Sequence, residues 1–213
     1  MQDDIMINIM QAMQLKVAGL AILESQPPPP SIEAYLKILK GIEHVYRWTK
    51  EDNMLGRKLY EEAIELNPEY AAAYTLLGWT YHHVVTFGWS ESPDESLKKA
   101  EELANKALSL GDDEAYALLA DTYKSMGQWD KAVEIGEKGL AILPNSATYN
   151  AAFAHILNAA GGPYDRALEL IKKAMRLNPN YPPWYLGSLR LTYIYLKRYN
   201  DAIPVCKKHI KLT

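Results

Sequence analysis

The sequence predicts an all-α solenoid: about five helix pairs wound into a right-handed superhelix, preceded by one extra N-terminal helix. Three observations predict it. Small or medium residues recur at spacings of four and three, with a proline five residues on. Each such set follows a segment with its own aromatic and leucine marks. Nothing alternates with period two for long enough to suggest a sheet.

The sets justify the second helix of each pair. Gly56, Tyr60, Ala63 and Pro68 form one; Ala132, Gly136, Gly139 and Pro144 another; Ala167, Ile171, Ala174 and Pro179 a third. Ala100, Ala104 and Ala107 fit with Asp112 in the proline place, and Ala202, Cys206 and His209 make a poorer last set. Spacings of four and three place these residues on one helical face, where small side chains let two helices approach closely. The proline cannot continue the helix and closes the unit. The first helices carry Tyr74, Leu77, Gly78 and Tyr81; Tyr116, Leu119, Ala120 and Tyr123; Phe153, Ala154 and Leu157; and Leu186, Leu189 and Tyr193.

Residues 1–24 follow helical spacing through Ile5, Met6, Ile9, Met10, Met13, Val17 and Leu20. This helix either caps the first repeat or offers a Met-rich face to an upstream domain or a second copy. Residues 25–31 hold four prolines, Pro27 to Pro30, a stiff extended spacer or a swapping arm. The helical array then fills 32–213, as 32–69, 70–112, 113–146, 147–180 and 181–213. The start without an upstream domain fits a fragment of a longer polypeptide and a short natural chain equally. At the other end His209 stands where a small residue is usual, so either it caps the stack or the array continues.

This is the tetratricopeptide (TPR) pattern, and the third unit, 113–146, matches its 34-residue period without a gap. Several stretches resemble one subfamily more closely: SIEAYLKILKG, GWSESPDESLKKAEELANKALSL, NAAGGPYDRALELIKKAMRLNP, YPPWYLGSLRLTYIYLKRYNDAI and, before them, DDIMINIMQAMQLKV. They are similar to the TPR region that follows the catalytic or TolB-like part of bacterial class III adenylate cyclase-like signalling proteins. The resemblance implies an attached regulatory or interaction module. It implies no active site, because the cyclase chemistry lies outside that region.

Composition bounds the function. The chain has 213 residues, 48% apolar and 23% charged, which is ordinary for a globular protein. A net charge of −3 without a basic block lacks the footprint of a nucleic-acid binder. No run of 18 apolar residues exists, so no membrane insertion by this chain is expected. No signal peptide opens it, and the one cysteine, Cys206, fits a reducing compartment; a cytoplasmic location is the expectation. Cys206 itself is expected to be a buried, inert thiol. No phosphate loop, nucleophile elbow or paired-carboxylate motif is present, so neither enzyme nor cofactor is expected.

Partner contact is expected in one of two places. Stacked repeats would present a concave groove lined by first helices. Its expected lining includes Thr75, Trp79, His82 and His83; Ala117, Asp121, Lys124 and Ser125; His155 and Asn158; and Trp184, Leu191, Ile194 and Tyr195. The Lys and Asn clamp of chaperone-binding TPR domains is absent. An extended or helical peptide with apolar anchors suits this lining. His82, His83 and His155 lack metal-binding spacing, so no metal is expected. Trp79 has an alternative role in packing against a neighbouring unit.

The second place is an extended turn edge. Ala100 arrives ten residues later than the repeat period requires, and the first unit also runs long. Thr49 and Asp52 have capping spacing, and Ser92, Pro93 and Glu95 form a capping-box signal. Two lengthened hairpins are therefore expected, with Trp48, Phe87 and Trp89 at their tips. Those rings either stiffen the tips by packing on each other or contact a partner. The partner readings are a protein or peptide, an upstream domain of the same polypeptide, and a second copy forming a homo-oligomer; in the last case the chain is a structural oligomerisation module whose interface is built by the N-terminal helix and the C-terminal end of the array.

Overall fold

The computed structural model describes residues 31–211. The expected helix at 1–24 and all but the last residue of the proline spacer lie outside the described residues. The described chain forms α1 (Ile32–Val45), α2 (Lys50–Leu66), α3 (Ala71–Thr86), α4 (Pro93–Ser109), α5 (Ala115–Ser125), α6 (Trp129–Ile142), α7 (Ala147–Ala159), α8 (Tyr164–Leu177), α9 (Trp184–Tyr195) and α10 (Tyr199–Ile210). These are five successive helix pairs, the all-α architecture the spacing predicts. They fall into two compact units that divide between Leu118 and Leu119, inside α5.

In the first unit α1 packs on α2, α3 on α4, and α2 on α3. The core holds Ala34, Ile38, Ile42, Tyr60, Ala63, Ala72 and Ala73, with Tyr70, Leu76 and Leu77 around them. Gly41 lies so close to the Tyr60 ring that a Cβ there would strike it, and Gly56 stands likewise against Val45. Removing a methyl from each helix makes room for the Tyr60 ring beside α1 and for Val45 beside α2. Arg57 fastens α2 to α3: its guanidinium covers the Tyr81 ring at 3.7 Å and donates to Thr80 Oγ1 at 3.2 Å. Asp112, in the proline place, is buried and accepts hydrogen bonds from the Thr75 hydroxyl and the Glu114 amide. Burial, the largest influence, pushes its carboxyl above the ordinary aspartate range.

In the second unit α6 packs on α7, α7 on α8 and α9, α8 on α9, and α9 on α10. Tyr149, Phe153, Ile156, Leu157, Ile171, Tyr185 and Leu186 are all buried. Gly136 and Gly139 of α6 leave room for the Phe153 and Tyr149 rings. The Tyr149 hydroxyl then reaches the Gly136 carbonyl at 3.1 Å. Arg166 grips Glu137 through both carboxylate oxygens and ties α8 to α6. On α10 the small-residue face is looser, as its poorer pattern implies. Ala202 is buried, but Cys206 and His209 are only half-buried, which corrects the expectation of a buried thiol. The His209 Cε1 lies 3.5 Å from where a Cβ on Gly187 would stand, an ordinary contact distance, so the imidazole packs against α9. Pro204 lies inside α10 rather than in its first turn, and it deprives the helix of one backbone hydrogen bond.

The extra residues in the second repeat lengthen both of its helices. α3 has 16 residues and α4 has 17, against 11 and 14 for α5 and α6. Pro93 opens α4 as expected, but the Ser92 side chain makes no cap bond. Ser90 acts instead. Its Oγ accepts from the Ser92 amide at 3.2 Å and shares a hydrogen bond of 2.8 Å with Ser96. The physical reason is the Ser92 backbone, whose φ of −130° and ψ of 78° depart from the extended conformation of a capping residue.

Candidate interaction surface

Each first helix ends in a residue with positive φ. In the second, third and fourth repeats these are Gly88, Gly127 and Gly161 at 69°, 73° and 92°. Glycine is usual there because it alone lacks the Cβ that this conformation crowds. The fifth repeat uses Lys197 at 57°; the first has Trp48 at 55°, three residues past α1 where the others stand two past their helices. A bulky residue in this region is strained by about 1–3 kcal/mol and persists only where its surroundings impose it.

The surroundings of Trp48 are visible. Asp52, in the first turn of α2, holds the chain on both sides of it. Its Oδ1 lies 2.7 Å from His44 Nδ1 and 3.4 Å from Arg47 Nη1, and its Oδ2 accepts from the Thr49 hydroxyl at 2.9 Å. The Asp52 amide donates to Thr49 Oγ1 at 3.0 Å, so the expected cap is present. These bonds, that to His44 first, hold the Asp52 carboxyl below its ordinary value. A lowered folded value means that the clamp is complete above the ordinary aspartate range and fails as pH falls through the folded value. Trp48 fluorescence is therefore expected to change reversibly in acid, and Asp52→Asn to show the loosened signal already at neutral pH. An acid transition unaltered by Asp52→Asn would assign it elsewhere.

From that strained turn the Trp48 ring enters an aromatic cluster. It meets Tyr46 at 5.6 Å, His83 at 5.2 Å and Phe87 at 5.6 Å between ring centroids. Phe87 stacks on Trp89 at 4.9 Å, with planes 25° apart. His83 stacks on Trp79 at 5.7 Å, and Trp79 meets His82 edge-on at 5.4 Å. The three expected tip residues and three of the expected groove residues thus belong to one cluster on the first unit. Its outer part is open: Trp48 is 47% exposed and Phe87 44%. Its inner part is covered: His82 is 2% exposed, with Nδ1 3.4 Å from the Thr86 hydroxyl. Tyr46 is half-buried, and burial pushes its hydroxyl up to about 12. Sequence reasoning missed Tyr46, although its place two residues before Trp48, at the end of α1, was a usable signal.

Two tetratricopeptide-repeat family models match the chain, at residues 59–92 and 115–146. The chain carries tetratricopeptide repeats in these two stretches. Among solved structures, a thermophilic TPR protein of Thermus thermophilus is similar at 16% identity, with a TM-score of 0.67 over 84% of this chain and 91% of that one. MamA 41-end from Desulfovibrio magneticus RS-1 follows at 15% identity and a TM-score of 0.50, over 85% and 96%. Another MamA crystal structure reaches 18% identity and a TM-score of 0.50, over 80% and 92%. At these identities the likeness is one of fold. No curated protein is significantly similar in sequence.

The remaining expected TPR groove residues take varied places. Thr75 and Ala117 are buried in the first unit and present no surface. In the second unit Asp121 and Lys124 pair with each other, one turn apart on α5. His155 is half-buried. Asn158 is 3% exposed and turns its amide inward, donating to Thr192 Oγ1 at 2.8 Å and to the Ser188 carbonyl at 3.3 Å. Trp184 lies at the start of α9 against Tyr185, with centroids 4.4 Å apart. Tyr195 ends α9 and stacks on Tyr164 at 4.9 Å. That last pair is a smaller aromatic contact at a turn edge. Among the described residues no group of three His, Cys, Asp or Glu side chains could hold a metal ion, and no helix is long and apolar enough to cross a membrane.

Proposed function

We propose that this TPR protein is a non-enzymatic scaffold whose partner contact is made by the aromatic cluster of the first unit. The exposed Trp48 ring, held at positive φ in the turn after α1, carries this reading. A ring needed only for packing would not require the unfavourable backbone. Large aromatic side chains supply most of the binding energy in protein interfaces, at low entropic cost. A protein or peptide partner with apolar anchors suits a surface built from Trp48, Phe87 and Trp89, with Trp79 and His83 behind them.

The test uses an immobilised array of synthetic peptides. It is probed with the full chain and with a Trp48→Gly/Phe87→Ala variant. Trp48→Gly removes the ring and gives the positive-φ position the residue that tolerates it best. Peptides retained by the first and lost by the second, at similar melting temperatures, support the reading. Equal retention by both sinks it.

Self-assembly is a second reading with its own observation. Tyr199, Ile203 and Ile210 form a stripe on the outer face of α10 and are 58%, 52% and 76% exposed. A second copy covering that stripe would make the chain an oligomerisation module. A mass equal to one chain at all concentrations in sedimentation equilibrium would dismiss it. Attachment to an adenylate cyclase-like signalling polypeptide rests on the sequence resemblance alone. Neither the repeat matches nor the similar structures bear on it.

A further inference from the structure

The aromatic cluster and the four prolines are the two least ordinary features of the chain. Consecutive prolines favour the polyproline II helix, which has three residues per turn and rises about 3.1 Å per residue, so in that form rings three residues apart fall on one side about 9 Å from each other. Trp48 lies 5.6 Å from Phe87 and Phe87 lies 4.9 Å from Trp89 between centroids, an open aromatic surface on the scale of that spacing. Exposed aromatic faces are the standard surface for such a helix, because a proline ring packs flat on them and the segment has little entropy left to lose. The occupant is uncharged and lacks backbone N–H donors, and the outer rings of Trp48, Phe87 and Trp89 are largely apolar. We infer that the outer rings of this cluster hold the Pro27–Pro30 segment of a second copy of the chain. The inference rests on the reading of the cluster as the contact surface.

The chain's own prolines cannot serve. Pro30 is bonded to Ser31, which caps the N-terminal end of α1 through the Ala34 amide. Trp48 lies beyond the other end of that helix. The 14 residues of α1 separate the two by about 21 Å. Even Pro27, four residues before Ser31, reaches at most about 14 Å from it. Backbone to backbone, the segment therefore falls about 7 Å short of Trp48 of its own chain. A neighbour's segment has no such limit, and two chains exchanging it reciprocally would form a closed pair.

The experiment compares the mass of four full-length forms by light scattering across a concentration series: the natural chain, a chain with Pro27 to Pro30 all changed to Ala, Trp48→Gly/Trp89→Ala, and an equimolar mixture of the last two. Thermal melting checks that each is folded. A synthetic peptide spanning Glu24 to Ile32 is titrated in parallel, with tryptophan fluorescence as readout. The expected result is self-association of the natural chain, its loss in each variant, and its partial return in the mixture, where one intact segment meets one intact cluster. The peptide should alter the fluorescence of the natural chain and leave that of Trp48→Gly/Trp89→Ala unchanged. Unchanged self-association in the proline variant, with loss in the ring variant, would overturn the inference and leave the contact surface standing. Unchanged self-association in both would overturn the inference and count against the surface as well. A natural chain that stays a monomer and ignores the peptide would also overturn it, and the peptide array then decides the surface separately.

Discussion

Replacing Phe153 by alanine is expected to destabilise the second unit by about 3–5 kcal/mol. Phe153 lies on α7 with no exposed surface. Its ring occupies the space left by Gly136 on α6, where a Cβ would collide with ring carbons. Arg166 lies 5.6 Å above the ring centroid while it grips Glu137, so the ring also supports the fastening of α8 to α6. Truncation would leave a cavity whose walls are helix backbones, which relax little. Urea unfolding followed by circular dichroism would measure the loss. The variant Gly136→Ala should itself be costly, by about 1–3 kcal/mol through overpacking. Combined with Phe153→Ala it should cost less than the sum, since the added methyl enters the vacated space. Additive losses would mean that the two residues do not share one site.

The second large effect is expected at Asn158. Its amide donates to Ser188 and Thr192 inside the second unit, where all three residues are buried. Asn158→Asp keeps the shape but turns a donor into an acceptor facing the Ser188 carbonyl. An unpaired buried carboxylate destabilises by about 3–5 kcal/mol. Burial raises the folded-state pKa of the new carboxyl above its unfolded value. The penalty should therefore be small in acid, below the ordinary aspartate range, and grow as pH rises through the folded value. Unfolding at a series of pH values would show it. A pH-independent loss would indicate that the site is open to water. Asn158 was a reasonable groove candidate in the sequence, but its side chain works inside the stack, and its effect should fall on stability.

The helix pairs were legible because their signal repeats. Ala100, Ala104 and Ala107, or Ala167 and Ala174, are small for one reason, the close approach of a neighbouring helix, and all of them are buried. The lengthened second pair was legible too, because Pro93 marks a helix start whatever lies around it. Side-chain choice within a turn was not. Ser90 and Ser92 are chemically alike, and only the local backbone decides which of them holds the first turn of α4. The groove residues were least legible. Periodicity places His82 and Asn158 on a first helix, but burial depends on neighbours of long sequence separation, such as Ser188 and Thr192. That the tip residues and Trp79, His82 and His83 form one cluster was likewise hidden, since Trp48 and His83 lie in different repeats. The positive φ at Trp48 had no sign in the sequence, since the glycines after the other first helices stand one residue earlier relative to their helix ends.

Trp48 is held either for contact or for packing, and the melting temperature of Trp48→Gly distinguishes the two most directly. Glycine relieves about 1–3 kcal/mol of left-handed strain, which offsets the packing lost from a ring left 47% exposed. With the ring held for contact, the stability of Trp48→Gly is expected within about 1 kcal/mol of the natural chain, a small shift in melting temperature. A loss of about 3 kcal/mol or more, in the range of a buried aromatic truncation, would contradict it and make the ring a structural wedge.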